Sequence, residues 1–164
     1  MNKNITTSDV DALANLRFVL DAAEMTYVSL PEDSEVHGYN IVFSDDEPID
    51  RGDAILLAGQ SLFLFYLNFR ADDVLQNLPM VMEFVTRANW GLNTGNFELD
   101  IDVGSLRFKT SLDFHGSELQ PVLIRNLILN ALDAVATYEH HLAQVIAGAT
   151  DPKQAIVDAE SVLP

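Results

Sequence analysis

Apolar residues recur at helical spacing from about Asp9 to Ala23, where Ala12, Leu13, Leu16, Val19, Leu20 and Ala23 share one side and Ser8 and Asp11 are placed as a capping box. Phe18 falls off that side, beside Ala14 and Asp21, as a covered side chain or a contact. Four runs rich in Tyr, Val, Ile and Phe follow: Met25 to Leu30, Tyr39 to Ser44, Ala54 to Ala58 and Leu62 to Phe69. Turn-forming clusters separate them, which predicts strands joined by hairpins. The last run is apolar at both parities, so both faces of that strand are expected to be covered, one of them by helices. Asp72 to Trp90 is helical in pattern, with Pro79 in the first turn of its firm part or at a kink.

The alternation is cleanest further on. Phe97, Leu99 and Ile101 alternate with Glu98, Asp100 and Asp102, and Leu106, Phe108, Thr110 and Leu112 alternate with Arg107, Lys109 and Ser111. This predicts an antiparallel hairpin with one buried face. A turn around Val103 and Gly104 that sets Leu99 opposite Phe108 keeps the apolar side chains together, and it also sets Asp100 opposite Arg107 and Glu98 opposite Lys109.

The last third predicts a long helix, roughly Gln120 to Ala147, and a short one opened by Thr150 or Asp151 with Pro152 at its first position. Ile124, Leu127, Ile128, Ala131, Val135, Tyr138, Leu142, Val145 and Ile146 form the main stripe of the long helix, opposite Asn126, Asn130, Asp133, Thr137, His140 and Gln144. Leu129, Leu132, Ala136 and Ala143 lie beside the stripe as a second apolar flank, available to the terminal helix or to another subunit. The elements together predict an α+β fold: an antiparallel sheet of about five or six strands with helices packed mainly on one face.

Composition narrows what such a fold can do. The 164 residues fit one domain, 1–164, with a short helix after about 150, and are enough to bury a core without disulfides or a structural metal. There is no cysteine, which excludes thiolate metal sites and a cysteine nucleophile. With 25 acidic against 9 basic side chains the net charge is −16, which disfavours nucleic acid and anionic membrane surfaces as partners. The polar start MNKNITTSDVD has no signal-peptide character, and a cytoplasmic location is expected.

The chemistry-bearing fragments favour structural readings. Gly59-Gln60-Ser61-Leu62-Phe63 has the start of a nucleophile elbow but lacks its second glycine and is expected to feed a strand. Asp100-Ile101-Asp102-Val103-Gly104 has calcium-loop acids, but its glycine comes one place early and Ser111 stands where the loop needs glutamate. His140 and His141 are adjacent, a spacing that sends two imidazoles to different sides of a helix, and His37 and His115 stand alone in predicted loops. No catalytic residue, metal or cofactor is expected.

The stretch Arg87-Ala88-Asn89-Trp90-Gly91-Leu92-Asn93-Thr94-Gly95-Asn96-Phe97-Glu98-Leu99-Asp100, followed by Gly104 and Arg107-Phe108-Lys109-Thr110-Ser111, resembles the core of the YbjN-type family of bacterial proteins. There a helix ending in an Asn-centred motif is followed by Gly-x-Phe and a one-sided hairpin. The resemblance follows the element order over most of the chain and is sharpest from about Glu83 to Phe114. It implies a regulator of sensory transduction, with a fold similar to that of the type III secretion chaperones, small acidic dimeric proteins that bind other proteins, and it carries over no catalytic residue. The run from Ile55 to Phe69 and the helix after Pro152 depart from the family pattern. Asn89, Trp90, Gly95, Phe97 and Asp100 are the motif residues, expected to be structural: Asn89 capping the helix, Gly91 and Gly95 freeing the backbone, Trp90 packed.

Two functional readings follow. The leading one is a non-enzymatic, homodimeric protein-binding module, a chaperone-like or regulatory adaptor, with Phe18, Leu129, Leu132 and Ala136 as candidate interface residues. Its competitor within the same reading is a terminal helix that folds back over this surplus. The alternative function is an enzyme or metal-binding protein whose site draws on His37, His115, His140, His141 and acidic loops.

Overall fold

The computed structural model describes residues 7–31, 36–57 and 59–161. Helix α1 (Thr7–Ala22) leads into four strands, β1 (Tyr27–Ser29), β2 (Val36–Val42), β3 (Ile49–Leu57) and β4 (Leu62–Phe69). A short 3-10 turn (Val74–Asn77) opens into α2 (Leu78–Gly91), with Pro79 in the first turn, where its missing N–H costs nothing. The hairpin β5 (Asn96–Asp100) and β6 (Ser105–Asp113) precedes α3 (Pro121–Ile146) and α4 (Pro152–Glu160). Asp151 caps α4 by accepting from Lys153 N and Gln154 N. The Ser8 side chain, expected to cap α1, lies outside the described ones.

The six strands form one antiparallel sheet in the order β1-β2-β3-β4-β6-β5. The predicted α+β class, with five or six strands and helices on one face, is what forms. Pairing of Leu56 with Phe63, Ala54 with Phe65, and Phe65 with Thr110 places one parity of each strand under the helices. Phe63, Phe65, Leu67 and Phe108 are all fully buried there, against Leu16 and Leu20 of α1, Phe84 of α2 and Ile124 and Leu142 of α3. Each such side chain contributes about 1.5–3 kcal/mol of burial. The turn before β4 holds Ser61 at φ 52° and delivers the chain into a strand, as expected of a hairpin and not of a nucleophile elbow.

The opposite face corrects one expectation. Leu62, Leu64 and Tyr66 of β4 are only half-buried, and they lie on a face that no described helix covers. Both faces of this strand are apolar, yet only one is roofed.

The hairpin register is also corrected. Leu99 lies opposite Leu106, not Phe108, and Asp100 lies opposite Ser105, not Arg107. Phe97 faces Phe108, and Glu98 faces Arg107 while reaching Lys109 diagonally at 3.2 Å. The physical cause is the turn. Asp100 Oδ1 accepts from the N–H groups of Asp102 and Val103, and Gly104, at φ +72°, returns its N–H to Asp100 O at 2.8 Å. The chain therefore reverses one residue earlier than expected, and Ile101 sits exposed in the turn, off the apolar face.

Candidate interaction surface

The family-motif residues are brought together where α2 meets the sheet edge. Asn89 does not cap its helix. Its Oδ1 accepts from Phe97 N at 2.8 Å and its Nδ2 donates to Phe97 O at 3.0 Å, so one side-chain amide occupies the outward backbone groups of edge strand β5. A strand edge left open there would be a template for pairing. Gly95, at φ +74°, lets the chain pass where a Cβ would stand 2.6 Å from the Phe108 ring. Phe97 is buried beneath the clamp, edge-on to Phe108 at 4.9 Å and to Tyr138 at 5.8 Å. Asp100 builds the turn described above. Trp90 is the correction: it is 93% exposed, because α2 turns Phe84, Val85 and Ala88 inward and leaves Trp90 on its outer side.

Tyr138 ties the terminal helix into this region by donating to Glu160 Oε1 at 2.9 Å. Burial, reinforced by that acceptor, pushes its hydroxyl up to about 12. Helix α4 packs on α2 and α3 and buries Ala155, Ile156 and Ala159. It covers part of the surplus apolar surface but not the flank of α3 near α1.

The four candidate interface residues separate. Phe18, 63% exposed, and Leu129, 39% exposed, line one groove between α1 and α3. Its volume is about 420 Å³, its walls include Ala22, Met25 and Val122, and Arg125 is its charged residue. Ala136 is exposed further along α3, and Leu132 is half-buried against the core.

The open sheet face divides into two halves. On the polar half Asp53 accepts from Asn40 Nδ2 at 2.6 Å, Asn68 Nδ2 at 2.8 Å and Arg51 Nε at 3.1 Å. Beside it Glu98 pairs with Arg107 at 2.6 Å and Lys109 at 3.2 Å, and Arg107 stacks 4.2 Å over the Tyr66 ring. Burial pushes the Glu98 carboxyl up, but the hydrogen bonds and charges of Arg107 and Lys109 together hold it below the usual carboxylate range. These groups satisfy one another. The other half, Val36 and Leu57 beside Leu62, and Ile55 beside Leu64, is apolar and half-buried. Alternation on β3 and β4 could have revealed this patch, since its residues occupy the parity opposite Leu56 and Phe63.

The histidines are spread out. His37 is on β2, His115 follows β6, and the rings of His140 and His141 meet edge-on at 5.3 Å on α3. Among the described residues no group of three or more His, Asp or Glu side chains is placed to hold a metal ion, and no helix is long and apolar enough to cross a membrane.

The sequence matches over residues 13–144 the YbjN family, described as "putative bacterial sensory transduction regulator". Among solved structures, the chain is similar to the crystal structure of YbjN, titled "a putative transcription regulator from E. coli". The identity is 17% and the TM-score 0.55, covering 84% of this chain and 90% of that one. A structure of the ExsC-ExsE complex also matches, at 17% identity and TM-score 0.43, covering 85% of this chain and 97% of that one. No curated protein matches in sequence. The sequence match runs from within α1 to near the end of α3 and takes in the whole sheet, the Asn89 clamp and the hairpin: the chain belongs to the YbjN family.

Proposed function

We propose that this chain is a non-enzymatic, homodimeric protein-binding module of the cytoplasm, acting as a regulatory adaptor whose partner seats on the open face of the sheet. The carrying observation is the division of that face. Its polar half closes on itself through Asp53 and Glu98, while Val36, Ile55, Leu57, Leu62 and Leu64 form a contiguous apolar area that no described element covers. Contiguous apolar surface on a folded domain marks a site of association. The family description as a regulator supports the same reading.

Affinity capture from the native host tests it. The wild-type chain retains a specific protein, and Leu64→Lys, which places a charge in the middle of the patch, abolishes retention without altering the circular dichroism spectrum or the assembly mass. Equal retention by Leu64→Lys and Ile55→Lys would remove the open face from the function, and light scattering at 18.1 kDa instead of about twice that mass would remove the dimer.

A further inference from the structure

The groove between α1 and α3 has the features of a surface that recognises itself. It holds a projecting ring, Phe18, and beside it an apolar recess walled by Ala22, Met25, Val122 and Leu129. A two-fold interface uses the same patch on both copies, so knob and hole must both be present on it.

Its charges are arranged in the same way. Arg17, Arg51, Arg70, Arg87, Arg107 and Lys109 each pair with a carboxylate. Arg125, in the groove wall, has no ion pair or side-chain hydrogen bond among the described residues, although the chain carries 25 acidic groups. Glu24, between the groove residues Ala23 and Met25, has none either. Glu24 is also held in an unusual place. Met25 N bonds to Leu20 O and Glu24 N to Asp21 O, which closes α1 with Glu24 at φ 54°, a left-handed position where glycine would be less strained. A free cation thus lines the groove, and a free anion stands exposed beside it at the end of α1, with no ion pair between them.

We propose that this groove seats a second copy of the same chain, with each Phe18 entering the other copy's groove and each Arg125 pairing with the other copy's Glu24. The proposal rests on the homodimer reading above and specifies its interface. Charge favours this occupant. At −16 two copies repel over most of their surface. Around the groove Arg17 and Asp21 neutralise each other at 3.7 Å, and Arg125 and Glu24 balance, so the patch is neutral and its two free charges complement each other under a two-fold rotation.

Charge reversal with mixing tests it. Light scattering and sedimentation at micromolar concentration are expected to show a wild-type dimer. Arg125→Glu and Glu24→Arg should each weaken self-association at least about tenfold, since each sets like charges together twice. An equimolar mixture of the two variants should regain the wild-type dimer, because every contact then pairs opposite charges. Phe18→Glu, at an exposed position that the fold does not need, should leave a monomer. A wild-type dimer indifferent to Phe18→Glu and to both reversals would place the interface elsewhere and overturn the proposal while leaving the dimer reading intact. Failure of the mixture to associate would likewise overturn the Arg125–Glu24 pairing. A wild-type monomer would overturn both the proposal and the dimer reading.

Discussion

Neighbouring residues of the family motif should respond very unequally to truncation. Asn89→Ala removes the two hydrogen bonds to Phe97, of 2.8 and 3.0 Å, that hold edge strand β5 against α2. At about 0.5–1.5 kcal/mol net per bond the expected loss is about 1–3 kcal/mol. A loss of about 2 kcal/mol lowers the midpoint of a domain this size by about 4–8 °C. Trp90→Ala removes a larger side chain that is 93% exposed, and should cost no more than about 0.5 kcal/mol. Asn89→Asp sharpens the test. A carboxylate still accepts from Phe97 N–H but faces Phe97 C=O with a second acceptor, so it should be no more stable than Asn89→Ala. Urea unfolding followed by circular dichroism measures all three. Asn89→Ala within about 0.5 kcal/mol of wild type, or Trp90→Ala costing as much as Asn89→Ala, would refute the clamp.

Gly95→Ala, whose Cβ would meet the Phe108 ring at 2.6 Å and Lys109 O at 2.8 Å, should lose more than about 2 kcal/mol. Gly116→Ala, with a similar φ of +78° and nothing within 4 Å, should lose only about 1–2 kcal/mol in the same unfolding assay. Phe108→Ala should lose about 3–5 kcal/mol and Glu98→Ala under about 1 kcal/mol; equal midpoints would mean the buried face of the hairpin is misassigned. Tyr138 keeps its proton to about 12 in the folded chain against 10.0 for the free group, so folded protein binds that proton more tightly. Its stabilising contribution is complete below pH 10 and fades as pH rises toward 12, and Tyr138→Phe should flatten the fall in stability across that interval.

Local signals in the sequence carried most of the architecture. Leu62–Phe69 is a strand with the bounds its apolar run predicts, and Asp151 with Pro152 opens α4 as capping chemistry requires. Alternation correctly placed Phe97, Leu99, Leu106 and Phe108 on one face of the hairpin, but parity is unchanged by a two-residue slip, so it could not choose between Phe108 and Leu106 as the partner of Leu99. That choice belongs to the Asp100 side chain and the left-handed Gly104, whose hydrogen bonds start the turn at Ile101. Trp90 reads as packed as a member of the motif; only the packing of α2 shows that it falls on the outer side. Asn89 bonds to Phe97 across the α2–β5 connection, a partnership that helix propensity alone does not reveal. Phe18 and Leu129 each stood out by lying off their helix's main stripe. That they line one groove follows from the packing of α1 against α3, two elements about a hundred residues apart in sequence, which no periodicity encodes.

The two proposed surfaces lie on opposite sides of the molecule, and this constrains how they can work together. The groove belongs to the helical layer, which covers the Phe63, Phe65 and Leu67 side of the sheet, whereas Leu62 and Leu64 point to the other side. Copies joined through their helices therefore leave both open sheet faces free, and a dimer offers two equivalent seats. The two functions should consequently separate by mutation. Phe18→Glu should yield a monomer that still binds partner at one seat, and Leu64→Lys should yield a dimer that binds none. Calorimetric titration of the captured partner should give one partner per chain for wild type and for the Phe18→Glu monomer. A Phe18→Glu monomer that no longer binds partner at all would show that the groove and the sheet face form one site instead of two.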